Sequence, residues 1–221
     1  MDDASTTLWQ FVRGDLAIAN FEAWLYRQPS LEQELGSALY MELISFDYRD
    51  SRDLFVLRGR IDARLRPALK CECVTLADMA AVPMDCDGLD QRVFATVRRV
   101  CDYGSTRWWL SLNHCSACGQ DWMVAQEERI YDNYFMRRLD EVEARKIVDA
   151  NQWPDDFSTY ERVLRVGRNL TEPYRFLNGL AGSLVWTVQD LRKERPDISV
   201  QEIAHLLGVS SEHAERLLLE A

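Results

Sequence analysis

The sequence predicts an α+β protein with a helical N-terminus, a central antiparallel β-element and a helical C-terminus. Three observations carry this prediction. Apolar residues recur at helical spacing through both ends of the chain. The middle changes to β-branched and aromatic runs divided by a turn signal. Two closely spaced cysteine pairs flank that middle segment.

At the N-terminus, "TTLWQFVRGDLAIANFEAWLYRQ" puts Leu8, Phe11 and Val12 on one helical face, and Phe21, Trp24 and Leu25 repeat the spacing. Asn20 or the preceding Gly14-Asp15 pair is a candidate cap for the second helix. In "PSLEQELGSALYMELISFDY", Leu31, Leu35, Leu39 and Leu43 step by four, and Ser30 stands at capping-box spacing from Gln33. "DSRDLFVLRGRIDARLR" reads as a further helix stopped by Pro67.

In the middle, "RVFATVRRVC" and "TRWWLSLNHC" read as the arms of a hairpin, with "DYGS" as its turn. "QDWMVAQ" is a candidate third strand, and "RIYDNYFMRRLD" fits strand or helix. Helical patterning returns in "LDEVEARKIVDANQW" and "FSTYERVLRVGRNL", separated by Pro154. It continues in "EPYRFLNGLAGSLVWTVQDLRKERP", which Gly179 and Gly182 weaken. The chain closes with "SVQEIAHLLGVSSEHAERLLLEA", two short helices joined at Gly208. The expected organisation is a main domain over 1–170 and an acidic, helix-turn-helix-like tail over 171–221 packed on it.

The 221 residues are 47% apolar, enough for a sizeable core without disulfides. The formal charge is −10, which disfavours nucleic acid and anionic lipid and favours a basic partner. The opening "MDDASTTLWQ" carries acid where a signal peptide needs base, and no run reaches the roughly 18 apolar residues of a membrane span. A cytoplasmic protein is expected. Its six cysteines then read as thiols or metal ligands rather than a disulfide frame.

Cys71-Glu72-Cys73 and Cys115-Ser116-Ala117-Cys118 match the paired spacing of a structural tetrahedral zinc. A short turn aims two sulfurs at one centre, and four thiolates satisfy the ion with no position left for water. Gly119 suits the knuckle because glycine accepts positive φ. Trp122 is placed to exclude solvent. The fold class is therefore α+β with a zinc-stapled central β-element. Two other readings remain: a redox dithiol, which usually opens a helix in a βαβ pattern, and small buried thiols. His114 adjoins Cys115 too closely to ligate comfortably beside it. Cys86 and Cys101 lack paired spacing and read as free thiols.

The tail tempts a DNA-binding reading, since Ile203, Leu206, Leu207, Gly208, Leu217 and Leu218 lie where a helix-turn-helix needs them. Yet from Pro196 to Ala221 there is one Lys/Arg against five Asp/Glu, so phosphate contact is repelled. Asp2-Asp3, Glu127-Glu128 and Asp155-Asp156 read as solvated surface. His205 and His213 belong to no catalytic motif, and no glycine-rich phosphate loop occurs. Trp108-Trp109, taken as strand residues, point to opposite faces, one into the core. No enzyme activity is expected.

Two stretches carry a resemblance. Phe21 to Asp50, opening F-E-x-W-[LV]-Y, and Cys115 to Val124, with a C-x-x-C-G-x-x-W element, are together similar to bacterial immunity-type proteins encoded beside secreted polymorphic toxins. The resemblance covers about a third of the chain. It implies binding and neutralisation of a cognate toxin, nucleases leading because their clefts are basic. The alternative is a zinc-containing transcriptional regulator that uses the tail.

Overall fold

The computed structural model describes residues 3–49, 51–84, 88–170, 176 and 178–221. It is α+β, with helices at both ends and a five-stranded antiparallel sheet between them. The chain forms two compact units, Met1–Ala77 and Asp78–Ala221.

The first unit contains α1 (Asp3–Arg13), α2 (Ile18–Leu25), α3 (Leu31–Leu35), α4 (Ser37–Ser45) and α5 (Ser51–Leu65). Its core is apolar and aromatic. The Phe11 and Phe21 rings stack with centroids 3.6 Å apart, and the Tyr48 ring meets both edge-on. The step-of-four leucines supply the rest: Leu31, Leu35 and Leu43 are buried and Leu39 packs against them. They do so on two helices, because Gly36 takes φ +86 and breaks the run. A Cβ there would have room, so the backbone conformation is what calls for glycine. The two expected caps are not formed. Ser30 has helical backbone and no capping bond, and α2 begins after Ala17 while Asp15 pairs with Arg13. α5 ends as predicted, with Pro67 inside the 3₁₀ turn Arg66–Ala68 that follows it.

The second unit is built on β1 (Ala80–Pro83), β2 (Val97–Asp102), β3 (Leu110–Cys115), β4 (Asp121–Glu127) and β5 (Asn133–Leu139), in spatial order β1-β5-β4-β3-β2. β2 and β3 form the expected hairpin, with a register slip between Arg99 and Cys101. The segment before β2 differs from expectation: Leu89–Phe94 is a helix, α6, entered through Gly88 at φ +70. Trp108 and Trp109 precede β3 rather than lying on it. Trp109 is buried and its indole N–H donates to the Phe157 carbonyl at 3.1 Å, while Trp108 stays 38% exposed.

Helices α7 (Glu141–Ala150), α8 (Tyr160–Leu170), α9 (Gly182–Glu194), α10 (Val200–Leu207) and α11 (Ser211–Glu220) complete the unit. One face of the sheet carries Leu110, Leu112, Met123, Ala125 and Phe135, the inward set of three neighbouring strands. Val163, Leu164, Val188, Leu206 and Leu217 from the helices share that core. Composition marks the tail as acidic, but burial makes it part of the sheet unit. The compact units divide after Ala77, whereas the sequence-based division falls at 170/171, and Thr171 to Arg175 lie outside the described residues. α10 starts in a capping box of Ser199 and Glu202 and ends at Gly208, left-handed at φ 65. Tyr131 donates its hydroxyl to the Leu206 carbonyl at 2.6 Å, and the His213 ring meets the Gly179 carbonyl.

One expectation is reversed. Glu127 is fully buried, not solvated. It accepts from the N–H groups of Arg129, Ile130 and Tyr131 at 3.1, 3.0 and 2.5 Å, and from the Tyr160 hydroxyl at 2.6 Å. Strand alternation places it on the same face as Met123 and Ala125, and the turn after β4 folds its amides back onto the carboxylate. Asp155 and Asp156 do lie at the surface, where Asp156 pairs with Arg137 at 3.2 Å. Asp2 lies outside the described residues.

Candidate metal centre

The two cysteine pairs sit on turns of different construction. Cys71 is extended and precedes the 3₁₀ turn Glu72–Val74, which carries Cys73. Glu72, between them, is held by Arg66 at 3.1 and 3.2 Å and by the Thr75 hydroxyl at 3.0 Å. Thr75 also donates to the Glu72 carbonyl at 2.9 Å, closing the turn. The Arg66 guanidinium itself is held protonated by its hydrogen bonds to Asp62 and Glu72. Pro67 ends α5 just upstream and so releases the chain into this turn.

The second pair spans the β3–β4 connection. The Cys115 N–H donates to the Gln120 carbonyl and the Gly119 N–H to the Cys115 carbonyl, both at 2.9 Å. Gly119 takes φ +77 with open space around it, as the knuckle requires. Gln120 donates to the Leu139 carbonyl at 3.0 Å and accepts from Arg138 at 3.0 Å. Arg138 lies over the buried Trp122 ring, 4.4 Å from its centroid. The connection is thus tied to β5.

The four sulfurs of Cys71, Cys73, Cys115 and Cys118 lie within 4.8 Å of one another. A tetrahedron with metal–sulfur bonds of about 2.3 Å has edges of about 3.8 Å, so small side-chain rotations close the set around one ion. Cys73 and Cys115 are buried, Cys71 is half-buried and Cys118 is exposed. Among the described residues this is the group of histidine, cysteine and acidic side chains placed to hold a metal, and its donors are all sulfur. Soft thiolates suit zinc, and four of them leave no ligand position open.

His114 stands outside the cluster. It alternates to the face opposite Cys115, and its Nδ1 lies 2.8 Å from Asp121 on the neighbouring strand. Cys101 is a half-buried free thiol whose pKa burial pushes up. Cys86 lies outside the described residues. Sequence reasoning passed over Thr96, whose hydroxyl is 3.5 Å from the Cys115 sulfur and whose carbonyl accepts from Ser116. The strand register pairing Val97 with Cys115 is what brings it there.

Among the described residues, no helix is long and apolar enough to cross a membrane. Comparison with known proteins returns no match to a family model, to a curated sequence or to a solved structure.

Proposed function

We propose that Cys71, Cys73, Cys115 and Cys118 hold one structural zinc, and that the chain is a cytoplasmic immunity-type protein that binds a basic secreted toxin, a nuclease foremost, and occludes its active site. The observation carrying the metal half is the convergence of four sulfurs with no other donor type among them. Such a set holds structure rather than activating water. The binding half is supported by the net charge of −10 and by the resemblance of the Phe21–Asp50 and Cys115–Val124 segments. Acidic charge steers a basic partner into encounter, and exposed aromatics such as Trp186, 59% exposed on α9, are the residue type that anchors interfaces. On this reading the chain catalyses nothing.

Purified protein is expected to contain about one zinc per chain, and Cys115→Ser to lose metal and thermal stability together. Metal-free protein of full stability overturns the zinc assignment. The immunity assignment is tested by co-expression with the toxin domain encoded beside this chain. Restored growth and a complex that survives gel filtration support it, and absence of both overturns it.

The second reading, a DNA-binding regulator, draws on the α10–Gly208–α11 arrangement. The exposed residues of α11 include Glu212, Glu215 and Glu220 against Arg216, a surface that repels phosphate. Tight duplex binding at low salt that fades as salt rises would establish it instead.

A further inference from the structure

We infer that Thr96 is a positioning residue of the four-cysteine centre, its carbonyl holding the Cys115–Cys118 turn and its hydroxyl donating to the Cys115 sulfur once that sulfur is a thiolate. The inference rests on the metal reading above and adds a residue that is not itself a ligand. Thr96 is half-buried between α6 and β2. Its carbonyl accepts from the Ser116 N–H at 3.0 Å and from the Ser116 hydroxyl at 3.1 Å. Both bonds pin the residue that follows the first cysteine of the turn. Its own hydroxyl oxygen is 3.5 Å from the Cys115 sulfur, with the thiol as donor.

A metal ion displaces the thiol proton, so this hydrogen bond cannot persist in that sense. A threonine hydroxyl is donor and acceptor, and its hydrogen rotates to suit. With the sulfur ionised, the same two atoms form an O–H to thiolate bond when the hydroxyl hydrogen turns towards the sulfur. Four thiolates around a dication leave excess negative charge on sulfur. Cys115 is fully buried, so water is poorly placed to offset that charge there. The Thr96 hydroxyl supplies a donor at that sulfur. Cys118, being exposed, has solvent for the same purpose. Groups that hydrogen-bond to metal ligands commonly set affinity by about 10–100-fold.

The test compares the full-length protein with Thr96→Val, which keeps shape and carbonyl but loses the hydroxyl, and Thr96→Ser, which keeps the hydroxyl. Zinc affinity is read by competition with a chromophoric chelator, and the thiolate-to-cobalt charge-transfer band by cobalt substitution. Thr96→Val is expected to bind zinc about 10-fold more weakly or worse, with a shifted cobalt band, while Thr96→Ser stays near wild type. Wild-type affinity in Thr96→Val, or equal weakening in both variants, overturns the role of Thr96 while leaving the metal centre standing. A wild-type chain that takes up no zinc overturns the metal reading and this inference with it.

Discussion

Among the described residues, two glutamates are buried, in two different ways. Glu72, in the helical unit, keeps a charged partner: Arg66 meets both of its oxygens, and Thr75 adds a hydroxyl. Glu127, in the sheet unit, is more deeply buried and is held by hydrogen bonds from neutral donors, three backbone amides and the Tyr160 hydroxyl. Amides and hydroxyls offset less of the desolvation of a carboxylate than a cation does. Burial accordingly pushes the Glu127 pKa above the ordinary carboxylate value, with Tyr160 and the amides pulling it partly back. Burial, together with the nearby Glu127 charge, also raises the Tyr160 pKa. The difference teaches that polar residues do separate jobs in the two units. The Glu72 pair fixes a local turn beside two cysteines. The Glu127 cluster organises the end of β4, the following turn and the start of α8.

Removing the Glu127 carboxylate should give the largest effect. Glu127→Ala leaves three amides and a phenol without their acceptor, at about 1–3 kcal/mol for each group left unsatisfied. A loss of at least about 3 kcal/mol is expected in urea unfolding, and a loss under about 1 kcal/mol would show that water replaces the carboxylate. Next comes Tyr160→Phe, which deletes one donor to a charged group and should cost about 1.5–3 kcal/mol in the same measurement.

The pH response sharpens the contrast further. A carboxylate whose folded pKa is raised contributes stability that is fully present below its ordinary value and is lost as pH rises through the folded value. The sheet unit should therefore gain stability as pH falls from neutral towards about 5. Glu194 and Asp132, also raised by burial, act in the same sense, so Glu127→Gln should reduce this gain rather than abolish it. Asp190 and Glu202, the latter held down to about 2 by Ser199 and Arg195, lose their contributions only at lower pH. Thermal melts across pH 5–7 check this, and a melting temperature that falls steadily on acidification contradicts it. The smallest effect is expected from Glu72→Gln, about 1 kcal/mol or less, because the pair with Arg66 is partly solvated and the amide still accepts from Thr75.

Most of the architecture was legible in the sequence. Helical spacing located the packed faces of α1, α2 and the last two helices, and Gly208 marked their junction because a left-handed C-cap favours glycine. Cysteine spacing found all four sulfurs of the candidate centre. The misses have different causes: some are local conformation, and others depend on partners distant in sequence. The Ser30–Gln33 spacing suggested a cap, but Ser30 is already in helical conformation. Glu127 looked solvated because adjacent acids usually are, although its phase with Met123 and Ala125 was available as a signal. α6 hid within a run of strand-favouring residues, and Thr96 acquires meaning only once the β2–β3 register is known.

The edges of the sheet carry a further consequence. β2, at one border, presents Arg98 and Arg99 to solvent, and its register slips at the following residue. β1, at the other border, is four residues long and ends in Pro83. Guanidinium groups, an irregular ladder, short length and proline all discourage another chain from adding a strand. During synthesis or thermal stress, a partly opened molecule therefore offers its neighbours a poor template. Failure in this fold should run towards unfolding and proteolysis rather than intermolecular sheet growth, and valine at both arginine positions would tilt that balance towards aggregation.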